Sequence, residues 1–201
     1  MNSDQILNSL NDALQQTSLI EWYIFVSAVI YIILIALEKS AGWIFGIIAS
    51  ALSIYLCFKA NLYFESFLNL FYVVIGGYGW HQWMFGSKTK SHLPITELTL
   101  AKNLLLIAAG IIIFTPLGFV AHNYSTQALP YLDAFITAFS IIATWMTAKK
   151  MIENWLYWIV IDMAGIFLFS SRGFYLLALL NIIYTLMATA GYFSWRKKIA
   201  A

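Results

Sequence analysis

The chain has 201 residues, of which 62% are apolar and 10% charged, with a mean hydropathy of +0.79 and a formal net charge of +2. A soluble domain of this length carries about a quarter charged residues, so an ordinary water-soluble fold is excluded. The single cysteine, Cys57, excludes an intrachain disulfide.

In chain order, residues 1–19 are polar, carry no Lys or Arg, and lack the basic start and cleavage site of a signal peptide. A short surface helix or a frayed tail is expected there. Beyond it, charge-free runs cover 22–37, 40–58, 66–87, 103–132, 134–148 and 173–195. The stretch 154–171 would be another but for Asp162. A helix needs roughly 17–25 apolar residues to cross about 30 Å of hydrocarbon. Within 103–132, Pro116, the polar HNYSTQ at 122–127 and Pro130 are expected to end the helix near Ala121. Seven spans follow, near 20–37, 41–58, 62–81, 101–121, 130–148, 154–171 and 173–194, with loop 84–100 and a basic tail at 196–201. The shortest charge-free runs, 22–37 and 134–148, have interfacial flanks that allow a tilted span.

Seven crossings gather nine of the eleven basic residues on one side, leaving Lys59 and Arg172 on the other. The positive-inside rule then predicts an external N-terminus and a cytoplasmic C-terminus.

A shift of 112 positions aligns 21–83 with 133–195 without a gap, with 13 identities in 63 pairs. Trp43 falls on Trp155, Tyr63 on Tyr175, Asn69 on Asn181, Tyr72 on Tyr184, Gly79 on Gly191 and Trp83 on Trp195. The fold class predicted is therefore all-α and polytopic, with three-helix repeats at 20–83 and 130–195 joined by a linker helix at 101–121. An even number of crossings separates the repeats, so they run parallel, a plan used by secondary carriers with the substrate path between halves.

Ionisable groups in hydrocarbon cost about 2.5–3.5 kcal/mol on insertion scales and are functional candidates by default. Asp162 lies midway along 154–171, and Trp155, Trp158 and Asp162 share one helical face at i, i+3 and i+7. Two indole faces and a carboxylate suit a planar cationic or polar ring. The alternative is that Asp162 bonds a neighbouring helix and Trp155 anchors at the interface. Asn69 and Asn181 are each followed three residues on by a tyrosine, Tyr72 and Tyr184, and offer donors and acceptors to hydroxyls or a carboxamide. Interhelical glue is the competing reading. Through the repeat, Trp43 and Ser50 join the candidate set as counterparts of Trp155 and Asp162. There is no phosphate-cradling GxxxxGK[ST], no HExxH, no clustered His or Cys, and no Ser–His–acid set. No metal, cofactor, ATP drive or nucleic-acid partner is expected, and an enzyme is disfavoured.

The segments WLYWIVIDMAGIFLFSSRGFYLLALLNIIYTLMATAGYFSWRK and LYFESFLNLFYVVIGGYGWHQW resemble the two most recognisable blocks of the PnuC vitamin transporters. The W-x-x-W-x-x-x-D stretch and the LY…FY…GW-x-x-W pattern fall in order, and the likeness covers about residues 20–198. It implies a bacterial inner-membrane carrier with a 3+1+3 fold similar to the SWEET carriers, a homotrimer, and facilitated diffusion with metabolic trapping. It also implies a vitamin substrate: nicotinamide riboside first, with thiamine or riboflavin as alternatives. Carried over by motif, Trp155, Trp158 and Asp162 match the sixth-helix signature. Asn69 stands where many members have glutamine, which leaves the identity of the vitamin open. Outside that class, a membrane-embedded enzyme or receptor would use Asp162 as an acid or base. Within transport, a SWEET-type sugar carrier would need no buried charge.

Overall fold

The structure is a computed structural model that describes residue 15 and residues 17–59, 63–87, 93–124 and 129–199. The expected N-terminal surface helix falls largely outside them. Among the described residues there are seven delimited helices: α1 (Leu19–Ala36), α2 (Ala41–Lys59), α3 (Tyr63–Phe85), α4 (Leu100–Tyr124), α5 (Pro130–Ala148), α6 (Asn154–Ser171) and α7 (Tyr175–Ile199). The only bridge among those residues is an isolated parallel one between Thr96 and Met151. Among the described residues six helices are long and apolar enough to cross a membrane. The exception, α3, is long enough but diluted by Asn69, His81 and Gln82.

Ser18 starts α1 with a capping box: its Oγ accepts from Glu21 N–H at 3.3 Å, while its own N–H donates to Glu21 Oε2 at 2.6 Å. One boundary needs correction. The fourth helix does not stop near Ala121 but runs through Pro116 to Tyr124. Membrane helices tolerate proline where side chains and neighbours satisfy the freed backbone groups. The carbonyl that Pro116 leaves without an N–H donor is Ile112 O. Next to it Thr115 Oγ1 donates to Ile111 O at 2.7 Å, and nearer the helix end Asn123 Nδ2 donates to Phe119 O at 2.7 Å. The last helix also outruns its expected end, with Arg196, Lys197 and Lys198 in its final turn, where cations face the negative end of the helix dipole.

The repeat is visible in the backbone. Shifting α1, α2 and α3 by 112 lands on α5, α6 and α7 to within two residues at each end. The turns after α1 and α5 match bond for bond. Glu38 and Lys150 adopt φ of 57° and 52°. Their N–H groups donate to Ile35 O and Thr147 O, both at 3.0 Å. The next residues, Lys39 and Met151, donate to Leu34 O at 2.8 Å and Met146 O at 3.0 Å. This is the Schellman pattern, whose left-handed position normally holds glycine. A side chain there costs roughly 1–2 kcal/mol.

The chain divides into two compact units. One comprises Thr17–Thr96, Thr144–Ile152 and Ala190–Ala201. In it α1 packs on α2 and α2 on α3, around Trp43, Trp83, Trp195 and Ile35, each 3% exposed or less. Trp43 meets Trp83 edge-on at 5.7 Å and Tyr31 at 5.9 Å. A Cβ on Gly79 would lie 2.5 Å from the Trp43 ring, so only glycine lets α3 approach it. The other unit includes Glu97–Ala143 and Glu153–Thr189. Its centre is Phe139, Ala143 and Ile161, flanked by Phe114, Phe135, Tyr157 and Trp158. There α4 is closely seated: Gly110 lies against the Phe139 ring, and Tyr157 Oη donates to Asn103 Oδ1 at 2.8 Å.

Candidate substrate site

The unit built on α4–α7 holds the central candidates. α6 carries Trp155, Trp158 and Asp162 on one face, as their spacing requires. Trp155 is enclosed at 0% exposure, Asp162 is buried at 5%, and Trp158 is half-buried. Among the described residues the Asp162 carboxylate accepts no hydrogen bond and joins no ion pair. The alternative in which a Ser, Thr or Tyr of a neighbouring helix holds Asp162 therefore has no bond behind it. A carboxylate removed from water without donors is costly unless a cation or several N–H and O–H groups meet it.

Two residues of α7 close around that position. Asn181 presses its carboxamide against Gly165, one turn beyond Asp162 on the same face of α6, where any Cβ would collide with Asn181 Oδ1. Asn181 Nδ2 donates to Leu177 O at 2.8 Å, which leaves Oδ1 as an acceptor beside Gly165. Tyr184, one turn further along α7, is half-buried and near enough to Asp162 to feel its charge. Trp158, Asp162, Asn181 and Tyr184 thus offer one aromatic face, one carboxylate, one carboxamide and one hydroxyl. In this unit the end of α6 is tied to the first turn of α5, Arg172 Nη2 donating to Asp133 Oδ2 at 2.9 Å.

The first-repeat candidates lie in the other unit. Asn69 and Tyr72 are half-buried on α3, one turn apart, and Ser50 is half-buried on α2. Trp43 is 1% exposed, and its indole N–H has no hydrogen-bond partner among the described residues. Its ring sits among Tyr31, Trp83 and Gly79, so its visible contacts are those of packing. The sequence reading passed over Gly165 and the Asn103–Tyr157 bond. Gly165 carried one legible signal, its place three residues beyond Asp162. Asn103 and Tyr157 are joined only by the fold. Among the described residues no His, Cys, Asp or Glu cluster could hold a metal ion.

Apolar spans, internal repetition and a polar–aromatic set within the membrane segments define a multi-pass membrane carrier. The chain belongs to the nicotinamide mononucleotide transporter family, whose model matches residues 18–197, a family of membrane transporters rather than enzymes. It is 28% identical over 187 residues to the nicotinamide riboside transporter PnuC of Escherichia coli K12, covering 81% of this chain and 78% of that protein. It is 26% identical over 121 residues to the riboflavin/roseoflavin transporter RibM of Streptomyces davaonensis, covering 59% and 57%. Among solved structures, that of the vitamin B3 transporter PnuC superposes with a TM-score of 0.73 at 24% identity, covering 96% of this chain and 87% of that one.

Proposed function

We propose that this protein carries nicotinamide riboside across a bacterial inner membrane by facilitated diffusion. The observation that carries the reading is Asp162, a buried carboxylate without a donor among the described residues, one turn from a half-buried indole. Trp158 stacks on the pyridinium ring, with Trp155 behind it, and Asp162 faces the positive charge. Asn181 and Tyr184 grip the ribose hydroxyls; Asn69, Tyr72, Ser50 and Trp43 are the candidate counterparts in the first repeat.

The same geometry discriminates between the riboside and its phosphate ester. The mononucleotide adds a phosphate dianion, whereas the membrane part of α6 and α7 supplies Asp162 and no Lys or Arg before Arg172, itself bound to Asp133. An anion entering that space would face a like charge with no cation to offset it. Thiamine also carries a cationic ring and suits the indole–carboxylate face. Riboflavin is neutral and uses the acid only as an acceptor.

The wider reading is a 3+1+3 arrangement similar to the SWEET carriers, a homotrimer, an external N-terminus and a cytoplasmic C-terminus. Free substrate equilibrates, and phosphorylation inside the cell traps it. Calorimetric titration with nicotinamide riboside, its mononucleotide, thiamine and riboflavin tests the ligand. The riboside binds tightest and the mononucleotide not at all; tighter binding of riboflavin or the mononucleotide refutes the assignment. Proteoliposomes tests the mode. Accumulation above the external concentration, with no kinase inside, contradicts passive transport.

A further inference from the structure

At the basic end of the helices, the turn after α1 meets the turn after α5 at equivalent positions of the repeat. Lys150 Nζ donates to Glu38 Oε2 at 2.9 Å, across 112 residues, which is the period of the repeat. A residue that meets its own counterpart lies at the local pseudo-twofold axis. Both side chains project from left-handed residues, a conformation in which glycine is the usual choice, and both are sequestered, Lys150 at 3% and Glu38 at 19% side-chain exposure. Glycine would cap either helix with less strain, so capping does not explain a charged pair here. Strain held at two symmetry-related residues whose side chains meet points to a function.

The surroundings repeat the same symmetry. Trp83 at the end of α3 donates its indole N–H to Thr147 O at 3.2 Å, and Trp195 near the end of α7 donates to Ala36 O at 3.1 Å. Each repeat therefore reaches across to the last turn of the other's first helix. Lys150 Nζ also lies 4.6 Å above the Trp83 ring, and Lys198 Nζ donates to Glu38 Oε1 at 2.7 Å. Around these links Trp43, Trp83 and Trp195 are 1%, 3% and 0% exposed, so the two turns meet in a buried, closely packed cluster. The Lys150 turn is pinned through its main chain, Thr96 N–H donating to Lys150 O and Ile152 N–H to Thr96 O, both at 2.9 Å. Glu38 is held across to the second repeat by its carboxylate.

We propose that Glu38 and Lys150, with Lys198 as a second cation, form the latch of the gate at this end: it joins the repeats while the site is closed from that side and parts when substrate leaves there. The inference rests on the carrier reading, because alternating access requires a dry end to open in turn. A fixed pivot would use the same contacts and keep them throughout the cycle, and the two differ in one measurable respect.

The test uses the full chain in liposomes as Glu38→Cys/Lys150→Cys with Cys57→Ser, bridged by a cleavable bifunctional thiol reagent. A latch gives a loss of nicotinamide riboside uptake of about tenfold or more on bridging, binding retained within about twofold, and recovery after reduction. Uptake at the unbridged rate overturns the latch and leaves a pivot. If the double variant does not bind before bridging, Glu38→Gln replaces it. For a latch, weakening the shut state raises both the maximal rate and KM, while an unchanged KM with an equal or lower rate overturns it. Failure of the carrier reading is distinct, since unmodified protein then moves no riboside at all.

Discussion

Replacing Asp162 by asparagine separates a ligand-facing acid from a structural one. The substitution is nearly isosteric and removes one charge. With the carboxylate 5% exposed, a pyridinium nitrogen at about 5 Å interacts with it by about 3 kcal/mol at an effective dielectric near 20. Losing that interaction raises Kd for nicotinamide riboside by about a hundredfold. The matched control is its 1,4-dihydro form, which keeps ribose and carboxamide but has a neutral ring. For that ligand the variant changes one acceptor into an amide, an effect of about 0.5–1.5 kcal/mol, or roughly tenfold at most. Side-by-side calorimetric titration of both ligands reads the difference directly.

Stability gives an independent check on the same variant. Because Asp162 accepts no hydrogen bond among the described residues, replacing it by asparagine breaks no protein contact there and removes a buried acid. The melting temperature of the ligand-free variant therefore stays level or rises. Equal losses of affinity for the charged and neutral ligands, or a fall in melting temperature without ligand, would refute the assignment and make Asp162 part of the scaffold.

Trp158→Ala is expected to raise Kd for a cationic ring by about tenfold, from about 1–2 kcal/mol of lost cation–π attraction, with the elution volume unchanged; dissociation on a sizing column would show the indole to be packing. Gly110→Ala pushes a Cβ to 2.5 Å from Phe139 Cζ, so thermal unfolding should show about 1–3 kcal/mol of destabilisation, and an unaltered melting temperature would show that α4 is not pressed there. Burial pushes the Glu38 carboxyl up, but hydrogen bonds from Lys198 and Lys150 and their charges outweigh it and leave it below the ordinary carboxylate range. The unfolded chain then binds more protons, so the Glu38 contribution is complete above the unfolded value and is lost as pH falls through the folded one. The wild-type advantage in melting temperature over Glu38→Gln should shrink on acidification, and a constant difference would count against the pairing.

Most of the helical plan was legible because lipid imposes a single rule on every span, and charges punctuate it. The fourth helix was the exception at its end: the polar run from His122 reads as the start of a loop, yet the helix continues to Tyr124, with Asn123 Nδ2 bonded to Phe119 O. The candidate site stood out in the sequence where chemistry was anomalous, as with Asp162 in an apolar run. It was not legible where geometry alone matters. Gly165 draws attention only when Asn181 is found against it, and Asn103 only when Tyr157 reaches it. The repeat shift did reveal that Ser50 and Asp162 differ, but opposite charges at 38 and 150 gain meaning only once the two turns touch.

That last pair bears on how a duplicated chain can serve one asymmetric substrate. A residue on a twofold axis meets its own copy, so identical halves would place two acids or two bases in contact, at a cost. Glu38 and Lys150 convert that self-contact into an ion pair while keeping the same backbone turn on both sides. At Ser50 and Asp162 the halves diverge again, this time leaving a charge on one side only. The backbone thus keeps the symmetry of two equivalent arms, and divergence at two positions divides the work. Complementary charges at the end fit a joint between repeats, and the acid in the membrane segment stands where the proposed cationic ring would meet it.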